Sequence, residues 1–159
     1  MKKSQIYSQV FVYVLAMLLV SMILVFGYKA ISSFRDRTEK VACLKLKNDM
    51  TNAVDSILGD YGTIKKKQFD ACSNYNQICF VESHDEVNLP NNVDPIIKDS
   101  ILDKTGNNVF LVNKIAEESF NIGKISVTPD VMCLKTRDNK ITIAMEGKGN
   151  FVTISQWVG

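Results

Sequence analysis

Histidine and tryptophan each occur once in this 159-residue chain, and proline occurs three times. A single histidine excludes a metal cage built from imidazoles. Three prolines and eight glycines exclude a collagen repeat and a proline-rich linker array. Acidic residues are missing from residues 1–30, which carry three lysines, whereas residues 31–159 hold the other 16 basic residues and all 17 acidic ones. A net charge of +2 is too small for a strongly basic nucleic-acid binder, so no nucleic-acid partner is expected. The length allows one ordinary domain and little more.

What is present first is a long apolar run. Ser4 to Tyr28 are 25 residues without a charge, and Val10–Phe26 (VFVYVLAMLLVSMILVF) is apolar except for Ser21. At 1.5 Å per residue, some 20 helical residues span the roughly 30 Å hydrocarbon core of a bilayer. A core helix of a soluble domain would keep a polar face, and this stretch keeps none. Tyr7, Tyr13 and Tyr28 lie towards its ends, where aromatic rings favour the interface, and Lys29 closes it. The lipid bilayer is therefore the first expected partner.

The run is too long for the apolar core of an ordinary cleaved signal, and Phe26-Gly27-Tyr28 is a poor cleavage site. A signal anchor retained whole is the plain alternative. A third reading rests on Lys2-Lys3-Ser4-Gln5, directly ahead of the apolar run. This segment resembles the class III leader of archaeal type IV pilins. The resemblance implies cleavage between Ser4 and Gln5 on the cytoplasmic side, with the helix kept for self-association in a filament. Ser4 stands where that family has glycine, and Gln9 stands where it has glutamate. Such a glutamate would pair with a neighbour's amino terminus in a low-dielectric setting; Gln9 hydrogen-bonds but cannot neutralise a charge. More broadly, Gln5–Ile31, Cys79-Phe80-Val81 and Asn108–Val112 resemble archaeal membrane-anchored proteins of unknown function, a group that supplies no activity to carry over.

Charge does not decide orientation, because Lys2 and Lys3 precede the helix while Lys29, Arg35, Arg37 and Lys40 follow it. Cysteine does. Cys43, Cys72, Cys79 and Cys133 all follow the helix, and four thiols on one side suit two disulfides and an oxidising exterior. Cys72 and Cys79 enclose six residues, a hairpin-sized loop, so the expected pairing is Cys72–Cys79 with Cys43–Cys133. Zinc is the competing reading, but its ligand pairs usually stand two to four residues apart. No metal and no other cofactor is expected. The implied location is the cell membrane, single-pass, with the C-terminal part extracytoplasmic.

The chain divides into residues 1–30 (leader and transmembrane helix), 31–43 (stalk) and 44–159 (an extracytoplasmic α+β domain). Leu46, Met50, Val54, Ile57, Leu58 and Tyr61 recur at helical spacing, which predicts an amphipathic helix over Leu44–Tyr61, packed on an antiparallel sheet and stopped at Gly62. Strands are predicted at Ile64–Ala71, Gln77–Glu82, Asn108–Val112, Phe120–Val127, Met132–Lys135, Lys140–Met145 and Phe151–Ser155. Arg137-Asp138-Asn139 and Gly147–Asn150 supply the last hairpin turns. Asp94-Pro95 opens a short helix to Leu102.

No residues are expected to be catalytic. Ser83-His84-Asp85-Glu86 offers a hydroxyl, an imidazole and two carboxylates, but triads assemble across a fold rather than along four residues. Neither Ser83–Asp94 nor Asp130–Ile141 has the ligand spacing of a calcium loop. Gly147-x-Gly149 lacks the following helix of a phosphate cradle. Lys65-Lys66-Lys67 is read as an edge-strand guard rather than a polymer contact, and Trp157 as a core plug. The chain thus reads as a non-enzymatic surface protein, with a structural or binding domain and no identified small-molecule substrate; the alternative is a pilin-like filament subunit.

Overall fold

The computed structural model describes residues 3–72, 75–83, 87, 89–90 and 92–157, with the backbone alone for residues 3–9 and 36. It is an α+β chain. Helix α1 runs without a break over Lys3–Leu58, and residues divide into two compact units, Met1–Lys40 and Val41–Gly159. In the first unit, the side chains from Val10 to Tyr28 are almost all exposed. Its apolar stretch has a mean hydropathy of 2.7 and no buried share, and is long enough to cross a membrane.

In the second unit α1 ends at Leu58, earlier than the expected Tyr61, and Gly62 turns the chain at φ 76° into the first strand. Among the described residues, eight strands and one more helix follow: β1 (Ile64–Asp70), β2 (Gln77–Val81), α2 (Pro95–Leu102), β3 (Val109–Val112), β4 (Ala116–Phe120), β5 (Ile125–Val127), β6 (Val131–Lys135), β7 (Lys140–Gly147) and β8 (Val152–Gln156). They form two sheets rather than one. The first has the order β1-β7-β8-β5 and the second β4-β3-β2-β6. Every pairing is antiparallel except β5 with β8.

Burial explains the two textures of these strands. β7 alternates exposed or half-buried positions with Ile141, Ile143 and Met145, as a strand covered on one face must. β3 is buried throughout, and β2 beyond Gln77, because the second sheet has apolar layers on both sides. One cluster gathers Ile78, Phe80, Val109 and Leu111 with Ile143, Val152 and Ile154 of the first sheet. The same cluster includes Leu46, Met50, Ala53, Val54 and Ile57 from the last turns of α1. On the other face, Cys79, Val81, Phe110 and Val112 meet Ile97 of α2. Asp94 caps α2, one carboxylate oxygen accepting from the Ile96 amide at 2.8 Å and the other from the Ala116 amide at 3.1 Å.

Two strand expectations are corrected. β1 and β2 are not partners across the Cys72–Cys79 segment: β1 pairs with β7, and β2 lies between β3 and β6 in the other sheet. The predicted strand Phe120–Val127 is in fact the end of β4, a break, and β5. Gly123 at φ 103° makes that break and lies against Val54, whose Cγ1 would be 3.3 Å from an added Cβ.

A buried polar knot joins the two sheets beside this break. The Glu82 carboxylate accepts from the Val127 amide at 2.7 Å and the Ser83 amide at 2.9 Å. Asn108, 1% exposed, donates to the Gly123 carbonyl at 2.6 Å and accepts from the Ile122 amide at 3.0 Å. Asn108→Ala removes the partner of a buried amide and a half-buried carbonyl, so it should cost about 2–4 kcal/mol. Asn107→Ala, at an exposed neighbour, should cost under about 0.5 kcal/mol. Denaturant unfolding of the full-length protein in detergent checks both.

Candidate functional site

The site-bearing features expected from sequence are the anchor, its leader and the cysteines. Ser4 and Gln5 lie in the first turns of α1, and their side chains fall outside the described residues. The anchor region carries Ser21, whose hydroxyl donates back to the Met17 carbonyl at 2.8 Å. That bond satisfies the Ser21 hydroxyl on its own helix, as an apolar surrounding would require.

All four cysteines are paired, but not as expected. Cys43 of α1 is bonded to Cys72 just after β1, and Cys79 of β2 to Cys133 of β6. Layering gives the reason. Cys43 and Cys72 belong to the apolar cluster between the sheets, whereas Cys79 points to the opposite face of the second sheet. A bond between Cys72 and Cys79 would have to pass through that sheet. Cys79 and Cys133 instead stand directly opposite each other on antiparallel strands, which puts both side chains on one face. The loop length between Cys72 and Cys79 carried no information about which layer each thiol enters.

Of the polar loop at residues 83–86, His84, Asp85 and Glu86 lie outside the described residues. Ser83 is held by the fold: its hydroxyl accepts from the Ile125 amide at 2.9 Å and donates to the Ile125 carbonyl at 3.0 Å. Asp94 is occupied by the cap of α2. Lys65, Lys66 and Lys67 lie on β1, the edge strand of the first sheet, in keeping with an edge guard. Lys65 pairs with Asp60 at 3.3 Å. Among the described residues, no group of three His, Cys, Asp or Glu side chains could hold a metal ion.

Trp157 is corrected from core plug to surface residue. It is 39% exposed, and the Lys66 ammonium sits 4.9 Å from the centre of its ring. It lines an open cleft of about 680 Å³ together with Gln68, Thr142, Gln156, Lys135, Arg137 and Lys140. This grouping was missed in the sequence, although a signal for it is present. Asp138 and Asn139 at φ 50° and 56° form a two-residue hairpin turn, closed by mutual Arg137–Lys140 backbone bonds of 2.9 Å. Beyond this turn the flanking strands part, β6 into the second sheet and β7 into the first, and Lys135, Arg137, Lys140 and Thr142 all line the cleft where they diverge.

No protein-family model, curated protein or solved structure matches the chain. Its function is therefore argued from its own residues.

Proposed function

We propose that the protein is a single-pass, membrane-anchored cell-surface protein whose disulfide-bonded α+β domain does structural or binding work outside the cell. The observation that carries this reading is α1. Its first half is apolar on every side and unburied, while its last turns contribute Cys43, Leu46, Met50 and Ile57 to the domain's core. One helix thus serves as retained signal anchor and, by its amphipathic C-terminal turns, as the element packed on the sheets. Two disulfides in a domain that already has two apolar clusters fit an oxidising exterior better than a reducing cytoplasm.

A second reading, a pilin-like filament subunit, is favoured by the unbroken 56-residue helix beginning beside the Ser4-Gln5 leader. In that case apolar helices pack together as a filament core after the leader is removed. Intact mass of the membrane-extracted native protein separates the two. The anchored reading predicts resistance to alkaline carbonate washing and a mass that includes Met1–Ser4. Loss of those four residues, with recovery in sheared filaments, replaces it by the pilin reading. Release by carbonate alone contradicts both.

A further inference from the structure

The cleft beside Trp157 combines three features that surface chance does not require of one another. Among the described residues the ion pairs are Lys45–Asp70, Lys65–Asp60 and Lys148–Glu146, and none involves Lys135, Arg137 or Lys140, which share the cleft with one carboxylate, Asp138. Arg137 stands directly opposite Lys140 in the hairpin, a like-charged cross-strand pair with a single carboxylate, Asp138, in the turn between them. Gln68 opposes Thr142 in the β1–β7 register, so an amide and a hydroxyl adjoin the charged end. Trp157 adds a partly exposed indole to the same lining.

We propose that this cleft binds an acidic oligosaccharide of the uronic-acid class. The sugar carboxylates pair with Arg137, Lys140 and Lys135, the guanidinium supplying a planar two-pronged donor. Ring hydroxyls exchange hydrogen bonds with Gln68, Thr142 and Gln156. The apolar face of one sugar ring lies against the Trp157 indole, an amphipathic surface suited to such contact. The cleft volume of about 680 Å³ falls in the range of ordinary small-ligand sites. Single-stranded nucleic acid suits it less well. Such binding builds on successive stacked bases, and this cleft has one indole.

Trp157 is the chain's one tryptophan, so its emission reports this cleft alone. Full-length protein in detergent micelles is titrated with hexagalacturonate at low ionic strength. The expected result is a saturable change in emission. Binding should weaken by at least about tenfold in Arg137→Gln/Lys140→Gln, the loss of two charge-assisted contacts. Lys98→Gln/Lys104→Gln removes the same charge away from the cleft and should leave affinity unchanged, with the unfolding midpoint held in both variants. Four outcomes overturn the proposal: no saturable change, an equal response to neutral maltohexaose, tighter binding of single-stranded oligothymidine, or equal weakening by the control pair.

Discussion

Gly147→Ala is expected to disrupt the second unit of the chain more than any other single methyl group would. Gly147 ends β7 where the chain leaving α1 crosses it, with its carbonyl accepting from the Gly62 amide at 2.8 Å and its amide donating to the Thr63 carbonyl at 3.2 Å. A Cβ there would overlap the backbone carbonyl oxygens of Ile57 and Asp60. Backbone cannot escape by changing rotamer, so the end of α1 or the end of β7 must move and the two hydrogen bonds must stretch. Overpacking of flexible cores costs about 1–3 kcal/mol, and a main-chain collision should reach or exceed the top of that range. Gly59, with nothing within 4 Å of an added Cβ, is the control: Gly59→Ala should change stability by under about 0.5 kcal/mol. Denaturant midpoints of the two variants in detergent measure the difference. Equal stabilities would show that the end of α1 does not seat against β7 at this glycine.

The other large effect is reduction. The bonds Cys43–Cys72 and Cys79–Cys133 close loops of 29 and 54 residues that follow one another along the chain without overlapping. In the chain-entropy account such loops stabilise by about 3.6 and 4.2 kcal/mol, and separate loops add. Their sum, about 8 kcal/mol, is comparable with the whole stability of a typical domain. Full reduction should therefore leave the second unit unfolded or nearly so at 37 °C, and Cys79→Ala/Cys133→Ala alone should lower stability by about 4 kcal/mol. Circular dichroism under reducing and non-reducing conditions separates the domain's loss from the anchor helix, which should persist. A domain equally stable with and without reductant would remove the bonds from any structural role.

Much of the architecture is legible in the residues themselves. Val10–Phe26 announces a helix long and apolar enough to cross a membrane by the absence of a polar face. Lys140–Gly147 announces a half-covered strand by strict alternation, and Asp94-Pro95 marks the start of α2 by its cap. These are local signals, each set by a few neighbouring side chains. The features that escaped depend on which layer a segment enters. β2 and β3 read as uninterrupted apolar runs, which say that both faces are covered but not by what. β4, with Glu117 and Glu118 facing solvent, lacks an apolar alternation to mark it, so the predicted strand Phe120–Val127 takes in only its last residue and runs across Gly123 into β5. The disulfide pairing failed for the same reason, since loop length sees distance along the chain and not the sheet lying between two thiols. The basic cleft needed a hairpin and Trp157, just beyond β8, to meet, a relation visible once β7 and β8 are paired.

The central claim is that an apolar anchor holds a disulfide-bonded domain outside the membrane. Its most direct test is a cysteine map of the native protein. Intact cells are treated with a thiol-blocking reagent before lysis, and the protein is then digested without reduction. The account predicts no blocked cysteine and two cross-linked peptides, one joining Cys43 to Cys72 and one joining Cys79 to Cys133. Four thiols blocked by a membrane-permeant reagent but spared by an impermeant one would place the domain in the cytoplasm and contradict the account.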